Sequence, residues 1–210
     1  MIAIIDYKAG NLTSVERAVR KLGYPCRITH NPSDIRSAER VIFPGVGAAG
    51  KAMSNLKSLG LDTLINEAFL EGKPVLGICL GTQIIFDHSE ENDTTCLRII
   101  PGRVKLFRQP LLAMNTHLKI PHMGWNELTI IRQHPVLKGV AAGSEFYFVH
   151  SYYPVPEHDD CTIGLTSYGI DFASAVATKN LVAFQFHPEK SGPTGLKVLD
   201  NFCRWDGHVE

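Results

Sequence analysis

The sequence lacks the features that mark several large classes of protein. It has only five cysteines among 210 residues, widely spaced and without a CxxC pair, which argues against a disulfide framework and against a zinc knuckle. No window approaches the about 18 uninterrupted apolar residues of a transmembrane helix. Asp6 and Lys8 interrupt the apolar start of the chain too early for a signal peptide. We therefore expect a protein of the reducing cytoplasm that does not act in a membrane.

An excess of charge of either sign is also missing. Lys plus Arg and Asp plus Glu number 21 each, so the formal net charge is zero, and no run of basic residues forms a local patch. This balance argues against binding to nucleic acid. Apolar residues make up 44% of the chain, which is enough to build a core. At roughly 150 residues per domain, the length favours one domain over residues 1–210.

The order of the predicted elements changes midway along the chain. In the first half, apolar runs alternate with helical patterns, which indicates a doubly wound, mostly parallel α/β sheet. These predictions are strands over 1–6, 25–30, 40–43 and 73–79, and helices over 12–22, 50–58, 61–71 and 80–88. Asn11 is the predicted N-cap of the first helix and Gly23 its stop.

The second half predicts an antiparallel strand addition to this α/β core. Short strand-like runs follow one another there, and a last helix closes the chain. The strands are predicted over 97–100, 103–107, 126–131, 146–153, 160–167, 172–178 and 181–187, and the helix over 193–204.

Cys79 lies at the predicted junction between a strand and a helix, in the pattern Gly-Ile-Cys-Leu-Gly. This GxCxG pattern is analogous to the GxSxG nucleophile elbow. Gly77 and Gly81 allow a sharp turn that exposes the sulfur, and the following helix N-terminus favours a thiolate and offers N–H groups to an oxyanion. We predict that Cys79 is a nucleophile rather than a small core residue. The other four cysteines lack this context.

A cysteine nucleophile needs a base, and the base needs an orienting group. His187 ends an apolar run, so it can share the carboxyl edge of the sheet with Cys79. Glu189 follows across the Pro188 turn and could return to the imidazole. His150, which ends another apolar run, is the alternative base. Only His187 has a nearby carboxylate, so we favour His187.

Residues 45–50, Gly-Val-Gly-Ala-Ala-Gly, match the GxGxxG pattern of a dinucleotide-binding loop. However, Pro44 separates the glycines from the strand, the strand is the third rather than the first, and no acidic residue ends a strand about 20 residues later. We favour a loop whose backbone N–H groups face Cys79 and complete an oxyanion hole. With no GxxxxGK[ST], HxH or HxxxH pattern either, we expect no cofactor and no metal.

The blocks around Cys79 and His187-Pro-Glu189 resemble the catalytic signature of the class I (triad) glutamine amidotransferases. Further blocks are similar to the family of glutaminase subunits of imidazole glycerol phosphate synthase. They are GNL (10–12), PGVG (44–47), PHMGWN (121–126), FVHSY (148–152) and FQFHPEK (184–190). The resemblance runs from residue 1 to about residue 202 and implies a flavodoxin-like fold of the class I glutamine amidotransferase type.

The resemblance implies a reaction and a set of roles. Cys79 would attack the side-chain amide of glutamine, His187 would protonate the leaving ammonia and then activate water, and Glu189 would orient His187. The ammonia would pass to a separate (β/α)8-barrel cyclase subunit, in a heterodimer that makes imidazole glycerol phosphate and AICAR for histidine biosynthesis. The implied oxyanion hole is Gly45, Val46, Gly47 and Leu80; the glutamine contacts are Gln83, Glu91, His150, Ser151 and Tyr152; the partner contacts are Asn11, Trp125, Tyr147 and Lys190.

Three features depart from the family pattern and leave alternatives open. Thr82 stands where the family usually has Met, the segment from Glu91 to Cys96 lacks the usual glycines, and residues 109–119 extend the lead-in to the PHMGWN block. A paralogous glutaminase that feeds another acceptor synthase, for instance in surface-sugar synthesis, is one alternative. A free-standing cysteine hydrolase on the same fold and a nucleotide-binding module resting on residues 45–50 are two others.

Overall fold

The computed structural model describes residues 1–8, 10–113 and 118–209. The predicted alternation of strands and helices is present in the first half. The strands are β1 (Ile2–Ile5), β2 (Cys26–Thr29), β3 (Arg40–Gly45) and β4 (Val75–Cys79), and the helices are α1 (Leu12–Lys21), α2 (Pro32–Ser37), α3 (Ala49–Ser58), α4 (Leu61–Leu70) and α5 (Leu80–Ile84). Helix α2 was not predicted from the sequence, although Asn31 caps it by accepting a hydrogen bond from the Ser33 N–H.

The second half is rich in short strands, as predicted. The strands are β5 (His88–Ser89), β6 (Thr94–Thr95), β7 (Gly102–Leu106), β8 (His122–Glu127), β9 (Thr129–Ile130), β10 (Glu145–His150), β11 (Tyr152–Pro156), β12 (Thr162–Tyr168), β13 (Ile170–Thr178) and β14 (Leu181–Phe184). This half also contains two α-helices, α6 (Arg108–Ala113) and α7 (Gly192–Arg204), and short 3₁₀ helices at Glu91–Asp93, Pro135–Leu137, Asp159–Cys161 and Pro188–Lys190. Within the described ranges, no helix is both long enough and apolar enough to cross a membrane.

The main sheet has eight strands in the order β2-β1-β3-β4-β14-β13-β12-β9. The first five are mutually parallel, and their order is that of a flavodoxin-like sheet with β14 as the fifth strand. Strands β13, β12 and β9 extend this core through antiparallel pairings. The predicted doubly wound sheet and its antiparallel addition are both confirmed.

The parallel strands are apolar along their whole length because helices cover both faces of the sheet. Strands β1, β4 and β14 are buried at every position. Alternate residues of β1 point to opposite faces, so Ile4 packs in one core with helices α1 and α7, whereas Ile5 packs in the other with α3 and α4.

Four element predictions are wrong in their extent. Residues 97–100 form no strand, because their backbone N–H groups instead bond to the carbonyls of residues 84–86 at the end of helix α5. Helix α5 itself stops at Ile84 rather than residue 88. The run predicted over 126–131 is two strands, of which β8 begins earlier, at His122. The apolar run over 181–187 leaves the sheet after Phe184, so His187 lies on the loop beyond the strand.

The predicted strand over 146–153 is also two strands, and they belong to different sheets. The strand is interrupted at Ser151. Strand β10 before it pairs with β8, whereas β11 after it joins the sheet of order β11-β7-β5-β6. This break leaves Ser151 and its neighbours at the edge of a cavity beside the carboxyl ends of β3 and β4.

Candidate active site

Cys79 occupies a strained turn between β4 and α5. Its backbone has φ 53° and ψ −105°, a conformation that costs a residue with a side chain on the order of 1–3 kcal/mol. A Cβ atom at Gly81 would lie 1.9 Å from the Phe43 carbonyl oxygen, and one at Gly77 would lie 2.8 Å from the Ala183 Cβ. The flanking glycines are therefore required by close packing of the turn against β3 and β14, as a nucleophile elbow demands.

His187 and Glu189 come together on the loop that follows β14. The Nδ1 atom of His187 lies 2.8 Å from Glu189 Oε1, and both side chains are buried. The loop is held by backbone, because the His187 N–H donates to the Tyr147 carbonyl at 2.9 Å and the Ser191 hydroxyl donates to the His187 carbonyl at 2.7 Å. The Pro188 turn thus returns the carboxylate to the imidazole.

The carboxylate determines how the imidazole can react. Glu189 Oε1 accepts a hydrogen bond from the Nδ1–H of His187, so the lone pair of His187 Nε2 is free. Within the described residues, His187 Nε2 makes no hydrogen bond. Burial lowers the pKa of His187, but the interactions of the ring with the Cys79 sulfur and then with Glu189 outweigh burial and raise the pKa above its ordinary value. An imidazolium at this position is therefore stabilised.

Asn11 belongs to this cluster rather than to the cap of α1. It directly precedes the helix, as predicted, but its backbone is left-handed (φ 70°) and its side chain makes no cap hydrogen bond. The N-cap prediction is therefore wrong in its hydrogen bond. Instead, Asn11 Nδ2 donates to Glu189 Oε1 at 2.9 Å. A residue early in the chain thereby holds the carboxylate that orients His187.

A cavity of about 330 Å³ opens above the sulfur. Predicted oxyanion residues and predicted glutamine contacts both line it. The lining consists of Val46, Gly47, Cys79, Leu80, Gln83, Glu91, Pro121, Val149, His150, Ser151 and Tyr152. Gly45 lies beside the cavity rather than in its wall, where it pairs with Cys79 across β3 and β4 and packs against the Tyr7 hydroxyl.

The glycine loop faces this cavity, and its geometry opposes the nucleotide alternative. Gly47 has φ +103°, which a residue with a side chain rarely adopts. The N-terminus of α3, where a phosphate would bind, is occupied by Glu91, whose Oε2 accepts the Ala49 N–H at 2.7 Å. The pKa of Glu91 is raised, because the effect of burial outweighs the backbone hydrogen bond, which lowers the pKa.

The alternative base, His150, has both ring nitrogens engaged. Its Nδ1 lies 2.8 Å from the Tyr152 carbonyl oxygen and its Nε2 lies 2.9 Å from His122 Nδ1. Complete burial lowers its pKa to about 3. No carboxylate of the described residues contacts His150, so the geometry favours His187 as the base. Among the described residues, no group of three His, Cys, Asp or Glu side chains is arranged to hold a metal.

Two polar residues of the site were missed from the sequence. Gln185 is fully buried, with its Nε2 3.8 Å from the Cys79 sulfur. His122 is buried against His150. The signal for Gln185 was a lone amide inside the apolar run Phe-Gln-Phe next to His187; the signal for His122 was the histidine at the head of PHMGWN.

The three departures from the family pattern lie at different distances from Cys79 and make different contacts. The hydroxyl of Thr82 donates to the Phe184 carbonyl at 2.6 Å, so Thr82 ties the turn after Cys79 to β14. The segment after Glu91 forms a turn and β6 beside α3. Of the extended lead-in, residues 114–117 lie outside the described residues.

Three of the predicted partner contacts, Trp125, Tyr147 and Lys190, lie together beside the His187 loop, with Tyr147 partly buried. Trp125 on β8 lies opposite Tyr147 on β10, with ring centroids 6.2 Å apart. The Lys190 Nζ lies 5.9 Å from the centre of the Tyr147 ring. Trp125 is 54% exposed and its neighbour Met123 61% exposed. Large exposed aromatic and Met side chains are typical of contact surfaces.

Comparisons with known proteins agree with this geometry. The family of class-I glutamine amidotransferases matches residues 3–205. The chain is 50% identical over 206 residues to "Imidazole glycerol phosphate synthase subunit HisH" of Nitratidesulfovibrio vulgaris (strain DP4), covering 98% of this chain and 96% of the relative. It is 48% identical over 205 residues to the protein of the same name from Dehalococcoides mccartyi, covering 97% of each.

Solved structures share the fold at lower sequence identity. PurLQS from Thermotoga maritima superposes with a TM-score of 0.72 at 15% identity, over 96% of each chain. The glutaminase domain of Trypanosoma brucei CTPS superposes with a TM-score of 0.66 at 16% identity, over 99% of this chain and 95% of that one. The match over nearly the full length shows that the chain belongs to the class-I glutamine amidotransferase family, in the group of the HisH subunits of imidazole glycerol phosphate synthase.

Proposed function

We propose that this chain is a glutaminase that hydrolyses glutamine to glutamate and ammonia and passes the ammonia to a cyclase subunit. The observation that carries the proposal is the strained Cys79 elbow facing a cavity, with His187 and Glu189 buried behind it. The relatives are named as a subunit of imidazole glycerol phosphate synthase, which supports as the acceptor the cyclase subunit that the resemblance implies, which makes imidazole glycerol phosphate and AICAR. Residues 1–210 act as one glutamine amidotransferase domain.

The first half of the reaction forms a thioester. The Cys79 thiolate attacks the side-chain amide carbon of glutamine, and the carbonyl oxygen becomes an oxyanion. The Leu80 N–H and the backbone of the Val46–Gly47 loop stabilise that oxyanion. The His187 imidazolium gives its Nε2 proton to the amide nitrogen, the C–N bond breaks, and ammonia leaves.

The second half releases glutamate. His187, now neutral, takes a proton from water, and the resulting hydroxide attacks the thioester carbon. The C–S bond breaks, the thiolate of Cys79 is restored, and glutamate is the product. Glu189 keeps the proton of His187 on Nδ1 throughout and stabilises the imidazolium. Glu189 does not itself become protonated.

The cavity offers groups that suit an α-amino acid. The carboxylate of Glu91 is matched to the α-ammonium group of glutamine. Both amide hydrogens of Gln83 are already donated, to the Tyr152 carbonyl and to Gln185 Oε1, so Gln83 offers its Oε1 as an acceptor. His150, Ser151 and Tyr152 complete the wall on the side of β10 and β11.

The partner is proposed to dock on the face formed by Trp125, Tyr147 and Lys190, in a heterodimer. This face lies next to the His187 loop, so ammonia released at Cys79 has a short path to the docked subunit. The five cysteines are all free and buried, which suits the cytoplasm as the proposed location.

The test is glutamate release from glutamine, with and without the cognate cyclase and its nucleotide ligand. We expect stimulation by both and complete loss in Cys79→Ala, with Cys26→Ala, a substitution on the edge strand β2, as the matched control that keeps activity. A chain that stays inert beside the liganded cyclase would overturn the proposal. Activity that ignores the cyclase would indicate another acceptor, and turnover of γ-glutamyl peptides without any partner would indicate a free-standing hydrolase.

A further inference from the structure

We propose that Gln185 and His122 are positioning residues, joined through Gln83 and His150 in one hydrogen-bonded chain that runs from strand β8 to the sulfur of Cys79. Below, this set of contacts is called the polar chain. The assignment rests on the proposed glutaminase function for the meaning of its kinetic effects, and on geometry alone for its contact with the sulfur.

The polar chain ends at the nucleophile. Gln185 Nε2 lies 3.8 Å from Cys79 Sγ, and the Val149 carbonyl oxygen lies 3.9 Å from the same atom. A carbonyl can only accept the thiol proton, whereas an amide N–H can only donate to sulfur. Donation favours the thiolate over the thiol, so Gln185 stabilises the reactive form of Cys79.

Gln83 fixes which way the Gln185 amide points. Gln83 Nε2 donates one hydrogen to the Tyr152 carbonyl at 2.9 Å and the other to Gln185 Oε1 at 3.0 Å. Because the Gln185 oxygen is held by this bond, its nitrogen must face the sulfur. The backbone of Gln185 is held as well, through its N–H to the Ser174 carbonyl at 2.8 Å.

The two histidines extend the polar chain from the pocket wall to β8, and only one order of donors and acceptors fits their contacts. The Tyr152 carbonyl accepts from His150 at 2.8 Å, so the proton of His150 is on Nδ1. His150 Nε2 is therefore an acceptor for His122 Nδ1 at 2.9 Å, and His122 Nε2 in turn accepts from Asn126 Nδ2 at 3.2 Å. In each histidine one ring nitrogen donates and the other accepts, so both imidazoles must be neutral.

The surroundings keep both rings neutral. The two histidines are packed among aromatic rings, with Phe148 and Tyr168 stacked on His122 and Phe107 and Phe172 at the edge of His150. Burial lowers the pKa of His122 to about 4. His122 does not contact the sulfur, so its role is to hold His150 and thereby the Tyr152 carbonyl in the pocket wall.

The sulfur end is tested with Gln185→Leu, which keeps the size of the side chain and removes the amide. The readout is the rate of Cys79 alkylation by iodoacetamide at neutral pH, followed by intact mass with Cys79→Ser as the blank. We expect alkylation about tenfold slower, from loss of one buried hydrogen bond, with kcat reduced more than KM changes. The matched control is Thr166→Val on β12, which keeps the size of the side chain and removes a buried hydroxyl that contacts the Glu127 carbonyl and the Ser174 hydroxyl, and which is expected to leave alkylation at the wild-type rate.

The far end is tested with His122→Phe and His122→Asn. Phenylalanine keeps the stacking and breaks both hydrogen bonds, whereas the asparagine amide can still donate to His150 from the Nδ1 position. We expect the KM for glutamine to rise about tenfold in His122→Phe and to recover largely in His122→Asn, with Cys79 alkylation unchanged in both. In the wild-type protein, ¹⁵N NMR is expected to show His122 and His150 neutral, with the proton on Nδ1.

Three outcomes overturn the assignment: wild-type alkylation in Gln185→Leu, equal KM in the two His122 variants, or an Nε2-protonated His150 in the wild-type spectrum. The NMR measurement needs no variant, so it decides even where a variant fails to fold. If wild-type protein does not hydrolyse glutamine but Gln185→Leu still slows alkylation, the proposed function fails while the contact of Gln185 with the nucleophile stands.

Discussion

Removing the side chain of Asn11 is expected to weaken catalysis directly, beyond any effect on partner docking. Asn11 Nδ2 donates at 2.9 Å to the Glu189 oxygen that also holds His187. The other oxygen of Glu189 is buried and has no hydrogen-bond partner within the described residues. Among the residues that the structure describes, Asn11 therefore supplies one of two hydrogen bonds to this buried carboxylate.

The expected magnitude follows from that geometry. A hydrogen bond to a charged group contributes about 1.5–3 kcal/mol. At 1.36 kcal/mol per tenfold in rate, its loss is expected to lower kcat by about 10- to 150-fold. Asn11→Gly is the cleaner variant, because glycine adopts φ 70° without strain. Asn11→Ala is expected to lose the same activity and to lower the free energy of unfolding by about 1 kcal/mol more than Asn11→Gly.

The assay is glutamate release at saturating glutamine, with the chain alone and with saturating liganded cyclase. A titration of the cyclase in the same assay gives the apparent Kd for the partner. We expect kcat to fall under both conditions. If Asn11→Gly keeps the wild-type kcat at saturating cyclase and only the Kd rises, Asn11 is a partner contact alone and the reasoning from Glu189 is refuted.

Two further predictions concern stability. Gly81→Ala is expected to destabilise the fold by several kcal/mol or to prevent folding, because its Cβ would lie 1.9 Å from the Phe43 carbonyl oxygen. Gly47→Ala, at φ +103° with open space around it, is expected to lower the free energy of unfolding by only about 1–2 kcal/mol. Similar urea midpoints for the two variants would contradict this. Burial lowers the pKa of His134 to about 4, so the unfolded chain binds more protons below about pH 6.5 and stability is expected to fall by up to about 3 kcal/mol as the pH falls from about 6.5 to 4. His134→Asn keeps an acceptor for the Val136 N–H but does not titrate, so it is expected to remove the share of His134 from this dependence, while buried His122 and His150, whose pKa values are also lowered, keep theirs. An unchanged slope in urea unfolding between pH 7 and 4.5 would show that His134 does not contribute to it.

Much of the fold was predictable because its signals are local. The apolar runs of β1, β3 and β4 indicate strands covered on both faces, and the helical patterns between them predict a parallel sheet. Residues 97–100 show the limit of this reasoning. They are as apolar as a strand, but their backbone hydrogen bonds go to the carbonyls at the end of α5, a partner that no local pattern names.

The same division holds for the site. The glycines around Cys79 and the spacing of His187 and Glu189 are short-range patterns with a chemical meaning. The structure places Glu189 against His187, and the catalytic roles of the three residues stay a prediction. Asn11 and Glu189 are 178 residues apart, and Gln185 and Cys79 are 106 apart. Their contacts depend on the order β1-β3-β4-β14 in the sheet, which brings segments far apart in the sequence to one edge.

The sequence by itself determined that this chain builds a parallel α/β core with a nucleophile elbow, because a turn that tight requires glycine on both sides of the cysteine. Only the tertiary structure decided what surrounds the nucleophile. In the folded chain, one apolar run is divided at Ser151 between two sheets, and Asn11 bonds to Glu189 instead of capping helix α1. Packing also brings Gln185, Gln83, His150 and His122 into a single hydrogen-bonded chain. Hydrogen bonds reach only about 3 Å, so their partners are chosen by packing over distances along the chain that local sequence patterns do not encode.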